Sequence, residues 1–179
     1  MRFRISIAAL LSAALMYAAG CRPQTGTQSG ATQTAPVVNK EAHPLPANGF
    51  KAQITLVDPP AKLRVGQKEM IRARIKNVSD VQWYSHGGEI NTNPDNRFYL
   101  ALGNRWLKSD GKTLVTNMDG RHGLQRDLKP GGEEEVSLQI TAPKEPGDYF
   151  LEVDGVQEQV AWFSDKGSPA ARTKITVVR

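Results

Sequence analysis

One cysteine, three histidines and 7% aromatic residues serve the whole 179-residue chain, and each scarcity excludes a class of protein. A structural zinc site draws four Cys or His ligands at short spacings. Here His43, His86 and His122 stand far apart and Cys21 is alone, so no metal centre is expected. A single cysteine also excludes an intramolecular disulfide, which leaves packing to hold whatever folds. No stretch concentrates lysine and arginine into the stripe that reads nucleic acid, and the formal net charge is only +5. Apolar residues nowhere recur at the 3.6-residue period of a long amphipathic helix. The longest apolar run, Ile5 to Tyr17, is broken only by Ser6 and Ser12 and falls short of the roughly 20 residues that span a bilayer.

What is present at the start is an export leader. Arg2 and Arg4 precede the apolar run, and Ala18-Ala19-Gly20 supply small residues before Cys21. This segment resembles the lipobox signal of bacterial lipoproteins, with Ala18 standing where Leu is most frequent. The resemblance implies a signal peptide over residues 1–20, cleavage before Cys21, and a diacylglyceryl group on that thiol with acylation of the new amino terminus. The implied location is a lipid-anchored domain outside the cytoplasm, at the cell membrane or outer membrane. Arg22, rather than Asp, follows the cysteine, which points to the outer membrane in a two-membrane cell. Two or three acyl chains make a stable anchor, at roughly 0.8 kcal/mol per buried CH₂. No other cofactor is expected.

Residues 21–48 read as the lipidated cysteine and a tether. The stretch RPQTGTQSGATQTAPVVNKEAHPLPAN has no aromatic residue and too little apolar surface to offset its ordering, so it is expected to be disordered. A coil of this length spans about 30 Å on average and about 90 Å when taut. His43 falls inside it.

Residues 49–179 are expected to form one all-β domain, a single Ig-like antiparallel β-sandwich of about seven to nine strands. Period-two alternation places Ala52, Ile54 and Leu56 on one face, and likewise Ile71, Ala73 and Ile75. The same holds for Phe98, Leu100, Leu102 and Trp106; for Val136, Leu138 and Ile140; and for Ile175 with Val177. Turn signals separate these runs, among them Pro59-Pro60, Asp110-Gly111, Pro130-Gly131 and Pro146-Gly147. In GDYFLEVD, Tyr149, Leu151 and Val153 point inward while Phe150, Glu152 and Asp154 point outward. Tyr149 sits where Ig-like sandwiches place a tyrosine whose hydroxyl bonds back across the corner. Val156, Val160 and Trp162 share a face that also carries Glu158, so either a bulge shifts the register or Glu158 is buried against a partner such as an arginine.

A second resemblance rests on Asn77-Val78-Ser79-Asp80 with Trp83, Trp106-Leu107 with Asp110-Gly111, Pro146-Gly147 with Tyr149, and Val156-Gln157-Glu158 with Val160-Ala161-Trp162-Phe163. These are similar to an Ig-like accessory domain fused to bacterial glycosyltransferases and methyltransferases. The resemblance implies a module without catalytic residues of its own; Trp106, Tyr149 and Trp162 are taken as structural residues from the strand-face alternation and the corner position. No attached enzyme domain is expected here.

Catalytic constellations are weak. Ser85 and His86 are adjacent, so an extended chain sends them to opposite faces, and no acid is spaced to orient the imidazole. Glu152 and Asp154 have a separation that glycosidases use, but an exposed acidic strand face gives the same pattern and is the reading taken. Asn91 to Asn96 has oxygens enough for calcium without the acidic density of a dedicated site. Binding is the expected class. Trp83 and Tyr84 leave a strand for a glycine-rich loop, and one of the two rings is expected to be accessible. With His86, Asn93, Asp95, Asp119 and His122 they form the candidate binding cluster. The expected partner is an envelope protein; a glycan or cell-wall polymer is the alternative, and a hydrolase or protease-inhibitor domain the third.

Overall fold

Strand formation follows the alternation wherever it runs, and turns fall where proline and glycine break it. The computed structural model describes residues 42–88 and 96–179. The leader, Cys21, the tether up to residue 41, Asn93 and Asp95 lie outside the described residues. The described strands are β1 (Ala52–Val57), β2 (Lys62–Arg64), β3 (Lys68–Asn77), β4 (Leu100–Lys108), β5 (Leu114–Thr116), β6 (Arg121–Gly123), β7 (Glu133–Thr141), β8 (Gly147–Gln157), β9 (Ala161–Trp162) and β10 (Ala171–Val178). They make ten segments where seven to nine were expected, because β2, β5, β6 and β9 are fragments of two or three residues.

One sheet has the order β1-β3-β7, the other β2-β10-β8-β4-β5, with β6 also on β4 and β9 on β8. This is an Ig-like sandwich whose first strand changes sheet. β1 pairs antiparallel with β3 as far as Val57↔Arg72. Asp58 then takes φ 46°, and Pro59 and Pro60 lack the N–H groups a ladder needs, so the pairing ends. The chain re-enters as β2, parallel to β10, the one departure from an all-antiparallel pattern among the described strands.

Between the sheets lies the core. Ile71, Ala73, Ile75, Val136, Leu138 and Ile140 from one side meet Leu100, Leu102, Trp106, Leu151, Val153, Ile175 and Val177 from the other. Trp83 closes one end of the core, fully buried, its indole N–H donating to the Gly49 carbonyl at 2.9 Å and its ring edge-on to Phe163 at 5.1 Å. The Tyr149 hydroxyl donates to the Glu145 carbonyl at 3.0 Å, making the corner bond. Ordered structure begins before residue 49. The Gln157 side-chain amide donates to the His43 carbonyl and accepts from the Leu45 N–H, each at 2.9 Å, so residues 43–48 are tied to β8.

Three sequence expectations are corrected. Phe98 takes φ 72°, outside the β region, so it precedes β4 and is only half-buried. Val160 sits in the turn between β8 and β9, largely exposed, and does not share the face of Val156 and Trp162. Glu152 and Asp154 do point away from the core, yet both are buried, at 2% and 0% exposure.

Candidate functional site

The outer face of an antiparallel sheet ordinarily meets water. The seven-stranded sheet departs from that rule, and the departure builds its site. Strand pairing aligns Arg105 of β4, Glu152 of β8 and Arg172 of β10 in one row across three neighbouring strands. The row below holds Leu107, Phe150 and Lys174. The row above places Gly103 beside Asp154.

Trp162 roofs the upper part. Its indole lies over Gly103, where a Cβ would sit 2.9 Å from the ring, so only glycine leaves room for it. The Arg105 guanidinium stacks 3.9 Å from the Trp162 ring centre and that of Arg121 4.8 Å from it, distances at which the π face attracts a cation. Arg121 also bonds Glu158 at 2.9 Å, so Glu158 has an arginine partner, though it is half-buried in the turn after β8 rather than buried on the strand face. Glu152 is held from both sides, by Arg105 at 3.5 Å and by Arg172 through Nη2 at 2.6 Å and Nε at 2.7 Å.

Asp154 lies deeper still. One oxygen accepts the Ser164 N–H at 3.0 Å; the other has no hydrogen-bond partner. Burial raises its pKa above the ordinary carboxylate value, against the opposing pull of its contacts to Ser164 and the Arg105 charge. A carboxyl group whose folded pKa exceeds its unfolded one binds more protons in the folded state, so stability falls as pH rises between the two values. Asp154→Asn is therefore expected to remove this part of the decline. Unfolding midpoints measured from pH 4 to 7 would check it, and an unchanged slope would refute it.

Below the roof the face stays open. A groove of about 830 Å³ has Leu107 and Phe150 with the arginine row as its floor and the turn from Ser109 to Leu114 as its wall. Asp110 in that turn is pulled down to about 2 by the Thr113 hydroxyl and by the Thr113 and Lys112 N–H groups.

None of the described residues singled out by sequence for binding lines this groove. Trp83 is core and offers no face to a ligand, which corrects its place in the binding cluster. Asp119 is structural: its carboxylate accepts from the Thr141 N–H, from Trp106 Nε1 at 3.3 Å and from Asn104 Nδ2 at 3.3 Å. Tyr84 is half-buried against His43, with ring centres 5.5 Å apart. His86 is exposed and edge-on to Tyr99, and His122 lies 3.0 Å from the Gln125 amide. Trp106 is core, and Trp162 is the roof rather than part of the core. Arg105, Arg172, Phe150 and Lys112 were missed. Their only sequence signal is outward-facing Arg and Glu on separate strands, and it becomes meaningful only once the strand order is known.

The fold and groove define an Ig-like module with a preformed concavity on one sheet face. No protein-family model matches the chain, and no curated protein matches it in sequence. Among solved structures, a β-glucosidase from Listeria innocua in complex with glucose aligns at TM-score 0.44 and 15% identity, over 72% of this chain. The chain spans 16% of that enzyme's length. The CARDB domain of PF1109 from Pyrococcus furiosus aligns at TM-score 0.40 and 14% identity, over 72% of this chain and 93% of that domain. The sporulation control protein Spo0M from Bacillus subtilis aligns at 0.40 and 11%, over 72% and 49% of the two chains.

Proposed function

We propose that this chain is a lipid-anchored envelope protein, attached through Cys21, whose Ig-like domain binds an envelope component in the groove of the seven-stranded sheet without transforming it. The observation that carries this is the half-roofed outer face, where a fixed Arg105–Glu152–Arg172 row borders an apolar floor in an open concavity. Preformed concavities of several hundred Å³ with a few oriented polar groups are where small ligands bind. Binding rather than catalysis is supported by the carboxylates. Glu152 spends its oxygens on two guanidinium groups, and Asp154 is fully buried, so the pair does not offer an acid and a base to a substrate.

Protein contact is the second mode, favoured by one observation. Leu114, Val115 and Met118 are exposed at 48%, 39% and 65% within five residues, on or just after the edge strand β5. The anchor is tested by intact mass. Protein extracted from membranes is expected to begin at Cys21 and carry the mass of its acyl chains, and Cys21→Ala is expected to leave it unacylated and soluble. An unmodified thiol at Cys21 in the membrane fraction would end the anchor proposal. Cross-linking from position 112 in intact cells tests the binding: one recurrent envelope neighbour, lost in Cys21→Ala, is expected. Scattered abundant proteins alone would count against it.

A further inference from the structure

We infer that the ligand of the groove is an acidic glycan, a chain of sugar rings bearing carboxylates. This deepens the proposal that the groove is a binding surface and rests on it. The first argument is an inventory of hydrogen-bonding capacity. The groove has two carboxylates, and both are occupied. Glu152 is taken by Arg105 and Arg172, and Asp110 by the Lys112 and Thr113 N–H groups and the Thr113 hydroxyl. What faces the opening is chiefly donors, the exposed Lys112 ammonium and the exposed Asn117 amide, while the half-exposed Arg172 guanidinium is already used on Glu152 and on the Gly111 carbonyl at 3.3 Å. An oxygen-rich anion matches donors whose own counter-charges are already engaged.

The floor supplies the second argument. Half-buried Phe150 and exposed Leu114 give the groove an apolar surface, with Leu107 buried beside Phe150 on the paired strand. A sugar ring has an apolar C–H face that such a surface can cover, while its hydroxyl and carboxylate edge reaches the rim. At about 830 Å³ the groove stands toward the upper end of the roughly 300–1,000 Å³ typical of ligand sites, which suits several linked rings better than one.

The third argument separates a glycan from a peptide. Extended peptides add to sheets through free main-chain N–H and C=O groups. The strands of Leu107 and Phe150 offer none at this level: β8 is paired on both sides, to β4 and β10, and β4 lies between β8 and β5, so a peptide can add only at the sheet's edges, along β5 or the stretch of β10 that β2 does not reach. Recognition over Phe150 must use side chains.

The test is titration of the full anchored protein in detergent with tetragalacturonate, alongside neutral maltotetraose and hexaglutamate. Tetragalacturonate is expected to bind, maltotetraose to bind more weakly, and hexaglutamate to fail. Lys112→Glu, an exposed substitution that leaves the core untouched, is expected to weaken tetragalacturonate by at least about tenfold. Asn117→Asp is expected to act in the same direction, and circular dichroism would show both variants folded. Binding that ignores Lys112→Glu and Asn117→Asp would overturn the site. Binding of hexaglutamate as tight as tetragalacturonate would overturn the glycan class. Failure of all three probes while cross-linking from position 112 still captures a recurrent neighbour would overturn the acidic-glycan inference alone. Failure of both would remove the groove as a binding surface.

Discussion

Gly120→Ala is expected to destabilise the domain by about 3 kcal/mol or more, a large fraction of the roughly 5–15 kcal/mol that holds a domain folded. A Cβ at this position would stand 2.0 Å from the Gln139 carbonyl oxygen, 3.1 Å from its carbon and 2.8 Å from Asn104 Oδ1. The first two atoms are backbone of β7, which is locked in a nine-residue ladder with β3 and cannot retreat without breaking it. The alternative is for residue 120 to move, and its turn is the seal on the free edge of β7. Asp119 takes the Thr141 N–H there, and Gly120 donates to Asn104 Oδ1 at 2.7 Å. Lifting the turn also frees the Trp106 indole N–H and the Asn104 amide inside the sandwich, where unpaired polar groups are costly. Denaturant titration should show a much lower midpoint. A midpoint equal to the unsubstituted protein's would mean the turn is not seated against β7 as described.

That seal illustrates where sequence reading stops. Asp119 beside Gly120 looks like a loop ligand, because its main partner, Thr141, is 22 residues away and nothing local announces it. Alternation placed Ile71, Ala73, Ile75, Val136, Leu138, Ile140, Leu151 and Val153 in the core, since period two is a local property. The same alternation sent Glu152 and Asp154 to the outer face and read that face as solvated. It reports which side a residue faces and not whether that side is covered. The cover, Trp162, arrives from a β8–β9 turn whose direction depends on φ 59° at Gln159. Phe98 failed for a related reason: the pattern was extended beyond the point where the chain turns. The arginine row needed the order β10-β8-β4, which pairs segments up to 67 residues apart, Arg105 with Arg172, across a shared Glu152. No spacing rule contains that information.

Glu152→Ala is expected to cost about 3–5 kcal/mol, the range for removing one partner of a buried ion pair. The Glu152 side chain is 3% exposed, and the two guanidinium groups it holds are unequal: Arg105 is 15% exposed and Arg172 50%. Arg172 can turn to water when its carboxylate is gone, so its share is small, as for any half-exposed pair. Arg105 cannot. It is pinned under Trp162, its Nε is already without a partner, and its remaining anions are Asp165, 3.8 Å away and 57% exposed, and Asp154, whose burial opposes its own charge. The expected cost is therefore the cost of a stranded Arg105 charge, and this can be separated from loss of packing. Arg105→Met combined with Glu152→Leu removes both charges and keeps apolar volume, and it is expected to recover most of the loss, because apolar replacements of buried pairs are often neutral or stabilising. The coupling between the two positions, read from a double-mutant cycle in denaturant titrations, should exceed about 2 kcal/mol. If Glu152→Ala costs under about 1 kcal/mol, as exposed pairs do, the row is solvated and the outer face is an ordinary surface. If the double substitution stays as unstable as the single one, the loss comes from packing around Phe150 and Trp162 rather than from an uncompensated charge.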